Sequence, residues 1–162
     1  MSHTDVGRLL VPATREAVHA ALLDARARER WLPPSGMTGR FEWFDARAGG
    51  GYRLVLTYDD PTTPGKSGAA TDVVDVRFTA VDPPSQVVEE ADFVSADPAL
   101  AGTMTMTWTL EPHADGTLVT ITATDVPDGI DSADHAAAFE ATLRQLAAYV
   151  AERTSGPLIR RG

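Results

Sequence analysis

Residues 103–153 constrain the fold most: two alternating strands turn about Asp115-Gly116 and run directly into one long amphipathic helix. Met104, Met106, Trp108 and Leu110 alternate with Thr103, Thr105, Thr107 and Thr109, the period of two that marks a strand with one dry and one wet face. The helix predicted over Asp134 to Arg153 carries Phe139, Leu143, Leu146 and Val150 at steps of four, three and four, one apolar stripe along its length. A dry sheet face and a dry helix stripe at adjacent places in the chain are expected to cover each other.

The rest of the chain supplies more strands. Val6 to Val11 reads as a first strand ended by Pro12, after which Thr14 is placed to N-cap a helix with Glu16 in its first turn and Pro33-Pro34 as its stop. Arg26, Arg28 and Arg30 crowd the last turns of that helix and read as a solvated, dipole-compensating end. Strands are predicted over Gly39 to Ala46, Gly51 to Tyr58, Asp72 to Val81, Gln86 to Val94, Gly102 to Glu111 and Thr117 to Asp125. The glycine-rich Ala48 to Gly51 makes the first hairpin turn, and Asp59 to Thr71 is the one long loop, a lid or an insertion. Ser132 reads as the N-cap of the last helix, and Gly156-Pro157 as its end. Strand, helix, six strands, helix is an α+β order. A chain of 162 residues suits one domain, 1–162 with a core over about 5–154, burying roughly 70% of its unfolded surface.

Composition closes several functional classes. With no cysteine there is no disulfide, thiolate nucleophile or cysteine-ligated zinc. A net charge of −9 repels phosphate backbones, so neither nucleic acid nor an anionic membrane surface is expected as a partner. No run approaches the ~18 apolar residues of a membrane span and the first residues lack a secretory pattern, so the expected location is cytoplasmic. Gly65-Lys66-Ser67 lacks the upstream glycine of a phosphate-binding loop, which is Asp60 here. His3, His19, His113 and His135 form no metal-ligating pair, no nucleophile elbow is present, and no metal or cofactor is expected.

Two residues stand out as candidate acid or base groups. His135 shares a helix face with Phe139, Thr142, Leu146 and Tyr149, one turn ahead of the apolar stripe, with hydrogen-bonded packing as the ordinary role for such a residue. Asp75, like Arg77, Glu89, Glu90 and Asp92, interrupts a strand pattern; turned inward it would have a raised pKa, turned outward it is a surface charge.

Several short stretches, in their order, resemble the START-like helix-grip superfamily, in the polyketide-cyclase-like branch similar to the C-terminal domain of the Hsp90 ATPase activator. They are Val11-Pro12-Ala13, Trp31-Leu32-Pro33-Pro34-Ser35-Gly36-Met37, Asp45 to Gly50, Val81-Asp82-Pro83-Pro84, Asp115 to Ile121, and Asp134-His135 leading to Leu143 through Tyr149. The resemblance implies a seven-stranded antiparallel curved sheet wrapped around the long C-terminal helix, short helices after the first strand, and a hydrophobic tunnel between sheet and helix. Where this family often has Gly-Trp, the chain has Ala138-Phe139.

The function expected is binding of a small hydrophobic or aromatic molecule, with Trp31, Met37, Tyr58, Met106, Trp108, His135 and Phe139 as its walls. A cyclase or dehydratase using His135 and Asp75 is the enzymatic alternative, which no residue pattern demands. A chaperone-regulating interaction domain ranks third, and pairing of sheet edges would give a homodimer.

Overall fold

The computed structural model describes residues 2–68 and 70–161, with side chains as far as Arg153. Seven strands form one antiparallel sheet: β1 (His3–Val11), β2 (Met37–Asp45), β3 (Gly51–Tyr58), β4 (Thr71–Asp82), β5 (Gln86–Phe93), β6 (Met104–His113) and β7 (Gly116–Val126). Their order is β1-β7-β6-β5-β4-β3-β2, so β2 to β7 are a plain meander and β1 joins at the far edge beside β7. The fold is the α+β helix grip: a curved sheet with the long helix α3 (Ser132–Arg161) against its inner face. Register shifts between Phe41 and Trp43 and between Phe78 and Ala80 mark bulges, which bend a strand and increase its twist.

Alternation explains which residues face the helix. Leu110, Trp108 and Met104 of β6, Val119, Ile121 and Ala123 of β7, and Val76 and Phe78 of β4 are buried on the inner face. Phe139, Leu143, Leu146 and Val150 of α3 are buried against them, as the stripe predicts. The helix packs directly on Gly7 of β1, where a Cβ would stand 2.6 Å from the Cβ of Phe139. Any larger residue there would lift the first turns of α3 from its seat.

Three local expectations are corrected. The single helix read from periodicity is two, α1 (Arg15–Leu22) and α2 (Ala25–Trp31), in line with the short helices the family resemblance implies, because the carboxylate of Asp24 accepts from the amides of Arg26 at 2.9 Å and Ala27 at 3.3 Å, starting a new helix where the first ends. At the start of α3 the cap is Asp131, which accepts from the amide of Asp134 at 3.0 Å; the Ser132 hydroxyl turns away to Asp5. The helical backbone then continues past Gly156-Pro157 to Arg161. The long loop is fastened to the sheet: the Lys66 amide donates to Asp72 at 2.5 Å and the Val73 amide to the Ser67 hydroxyl at 2.7 Å.

Candidate functional site

Between α3 and the inner face of the sheet lies a cleft of about 210 Å³. Its walls are mainly apolar: Leu54, Leu56, Val74, Phe93, Met104 and Met106 from the strands, Ala138 and Phe139 from the helix. Polar residues also line it: Arg28, Tyr52 and Glu89 in one group, and His135 with Thr142 on the helix.

The first group is buried outright. Arg28 lies on the face of α2 that also buries Ala27 and Trp31, and it is 0% exposed. Glu89 follows the alternation Val87, Glu89, Ala91 along the inner face of β5 and is 1% exposed. Arg28 Nη2 stands 2.7 Å from Glu89 Oε2, Arg28 Nη1 donates to the Tyr52 hydroxyl at 3.0 Å, and Arg28 Nε donates to the Leu22 carbonyl at 2.5 Å. The Trp108 indole N–H donates to the other Glu89 oxygen at 2.9 Å. Around the guanidinium, the rings of Trp31, Tyr52, Phe78 and Trp108 have centroids 5.2 to 5.7 Å away, a box of aromatic faces for a weakly hydrated planar cation. Burial opposes the charge on Arg28, yet Glu89 and the Tyr52 oxygen raise its pKa. The Tyr52 phenol, lifted far above its ordinary range by burial and by the Glu89 charge, is a neutral hydroxyl. Nη2 and Oε2 hold each other as an ion pair, and neither has a hydrogen bond outside it.

The second group sits where β1 meets the start of α3. Asp5, 3% exposed, accepts from the Ser132 hydroxyl through Oδ1, while Oδ2 lies 2.7 Å from His135 Nδ1 and 3.0 Å from His3 Nε2. Burial alone would raise the Asp5 pKa; the hydrogen bonds from Ser132 and His135 and the charges of His135 and His3 outweigh it and hold the carboxyl below the usual range. The His135 ring rests on Phe139 with centroids 4.2 Å apart.

Of the residues expected to form the walls, Met106, Trp108, His135 and Phe139 line the cleft together. Trp31 is buried one layer deeper, edge-on to Trp108 at 5.6 Å, with its N–H given to the Ala21 carbonyl at 3.1 Å. Met37 and Tyr58, at the ends of β2 and β3 and opposite each other in register, lie outside the lining. Asp75 is on the outer face, bound twice by Arg53 at 2.6 and 2.7 Å, and its carboxyl is held below the ordinary range by that arginine, contrary to an inward acid with a raised pKa.

Arg28, Glu89 and Asp5 are the polar residues the sequence reading missed. Arg28 belongs to the helix face of Trp31, three residues on, and Glu89 to the strand face of Val87 and Ala91, so period alone held both signals. Asp5 carried none, since its helix partners Ser132 and His135 are 127 and 130 residues away. Among the described residues no group of His, Asp or Glu is arranged to hold a metal ion, and no helix is long and apolar enough to cross a membrane.

Comparison with known proteins agrees with this architecture. A family model described as Activator of Hsp90 ATPase homolog 1-like protein matches residues 12–151. No curated protein matches the chain. Among solved structures, protein CV1439 from Chromobacterium violaceum is 28% identical, with 91% of this chain and 96% of that one covered at a TM-score of 0.79. A protein from Arthrobacter aurescens is 20% identical, covering 92% and 86% at a TM-score of 0.76. DynU16, from the dynemicin biosynthetic locus, is 20% identical over 91% of this chain and 46% of its own, with a TM-score of 0.65.

Proposed function

Since the chain belongs to the family of Activator of Hsp90 ATPase homolog 1-like proteins, whose fold commonly holds hydrophobic ligands, we propose that it binds a small apolar or aromatic molecule in the cleft between α3 and the sheet. The observation that carries this reading is the composition of the cleft. An apolar wall ends on a buried ion pair, Arg28 Nη2 and Glu89 Oε2 at 2.7 Å, whose two atoms have no hydrogen bond outside the pair. A few placed polar groups at one end of an apolar cleft orient a ligand, and a polar atom at the ligand's end would find its anchor at this pair. Because Arg28 and Glu89 together are neutral, a neutral hydroxyl or carbonyl fits them better than a carboxylate does.

The energetics suffice. Burying about 300 Å² of apolar ligand surface at ~25 cal/mol per Å² supplies roughly 7 kcal/mol before association costs of several kcal/mol, enough for micromolar binding. The test is mass spectrometry of whatever denaturation releases from protein purified from its own host, followed by thermal shift with that compound and with a panel of apolar aromatics. A binder is expected to raise the melting temperature in the native protein and less in a Met106→Trp variant, whose larger side chain fills the cleft. If neither a released molecule nor any stabilising compound is found, the reading fails.

A further inference from the structure

His135 is held in a way that ordinary packing does not require. The Asp5 carboxylate can only accept, so the ring nitrogen facing it at 2.7 Å, Nδ1, must carry the hydrogen. In the neutral ring that leaves the lone pair on Nε2, at the far side from Asp5. No described residue gives Nε2 a hydrogen bond, although the ring lines the cleft. Asp5 is itself fixed by Ser132 and His3, so it cannot swing away. A positive imidazolium in the first turn of a helix is opposed by the helix dipole, and the carboxylate behind the ring offsets that cost. Together these are an oriented base, a fixed tautomer and a counter-ion for the protonated state, beside a cleft for an apolar molecule.

We propose that His135, positioned by Asp5, is a general base that takes a proton from an apolar carbon acid, an unsaturated ketone with a C–H activated by its carbonyl, bound in the cleft. This rests on the binding reading above. In the step, the C–H bond breaks, its proton goes to Nε2, and its electron pair becomes the carbon–carbon double bond of an enolate, whose oxygen takes the negative charge. With a carbon–carbon double bond next to the acidic C–H the enolate is a dienolate, and return of the proton to its far carbon regenerates the imidazole, so the reaction is an isomerisation that consumes no co-reactant.

The probe is 5-nitrobenzisoxazole, an apolar aromatic whose single acidic ring C–H yields to a base. Loss of that proton forms the nitrile as the N–O bond breaks, the electron pair leaving on a coloured phenolate. The native protein is expected to open it with saturation kinetics, and His135→Ala to lose roughly 10²-fold in kcat. His135→Gln, which keeps a polar side chain of similar reach, guards against a folding defect and should lose as much. Asp5→Asn should lower kcat and leave KM in place, whereas Glu90→Gln on the outer face should change neither. If the probe binds, seen as thermal stabilisation, but opens at one rate in the native protein and both His135 variants, proton transfer is overturned and the binding reading stands. If neither the probe nor the aromatic panel binds the native protein, both readings fall.

Discussion

Strand β5 carries two adjacent glutamates that meet two opposite fates. Glu89 points inward to Arg28, where the paired side chains are 2% and 0% exposed; Glu90 points outward to Arg77, where they are 40% and 47% exposed. The outer face continues as a ladder, with Arg77 also on Asp92 and Arg53 on Asp75. The chemistry is the same on both faces and the solvent is not. Outside, water screens each pair and would solvate either partner alone, so little depends on pairing. Inside, each charge has given up its hydration and depends on the other, on the Tyr52 hydroxyl and on four aromatic faces.

Removing one inner partner should therefore have the largest effect. Arg28→Met leaves Glu89 buried without its cation and is expected to cost about 3–5 kcal/mol, read from urea denaturation midpoints. Adding Glu89→Leu to the same protein should recover most of that loss, since a buried pair replaced by well-packed apolar side chains is often neutral. A double variant as unstable as the single would mean that the pair itself, not the orphaned charge, holds the core. Either result leaves the outer ladder unaltered.

Close packing is the second thing that separates the faces. Gly7→Val places new carbon against Phe139, where a Cβ already comes within 2.6 Å, and should cost roughly 1–3 kcal/mol as the helix gives way. Because Phe139 and His135 line the cleft, the same variant should weaken binding of any ligand found. Val88→Thr, on the outer side of the same sheet, should do neither. Equal costs for the two would deny the inner face its tighter packing.

Acid should weaken the fold in two windows. His19 is 5% exposed; burial lowers its pKa against the raising effects of the Gln86 backbone and Asp82. In the unfolded chain it takes up a proton near 6.5, in the folded one only at lower pH, so its contribution is complete above 6.5 and declines as pH falls through its folded value. Asp5, facing His3, His135 and Ser132, has a folded pKa below 3.8, so its contribution is complete above 3.8 and is lost at more acid pH. Denaturation midpoints measured against pH should show both declines. His19→Gln should flatten only the first and Asp5→Asn only the second.

How much of this was legible beforehand follows from the range of each interaction. Strand and helix periods are local, and they announced the sheet, the stripe on α3 and the apolar walls at Met106, Trp108 and Phe139. The same periods placed Arg28 with Trp31 and Glu89 with Val87, but charge overrode period in the reading, because a charged residue on a buried face is uncommon without a partner that sequence does not display. Glu89 is 61 residues from Arg28, and Asp5 meets Ser132 and His135 only when β1 closes the sheet beside β7. Asp75 is the converse: its outward place was one of two open readings, and register opposite Arg53 decided it. The break at Asp24 was local and readable, since an aspartate that can cap two amides competes with a continuous helix.

The smallest effect expected is the one that tests the outer face itself. Arg53 clasps Asp75 through two donors at 2.6 and 2.7 Å, a geometry that, if buried, would make the pair indispensable. Both side chains are about one-third exposed, at 38% and 33%, so water and salt take over whichever charge remains. Arg53→Gln and Asp75→Asn, alone or together, should leave the urea midpoint within experimental error at 0.15 M salt or above, where the Debye length is about 8 Å or less. A coupling that grows at low salt and vanishes at high salt agrees with screening as the cause. A coupling that persists in high salt would show that the outer pair is shielded much as Arg28 and Glu89 are, and the contrast between the two faces would then rest on packing alone.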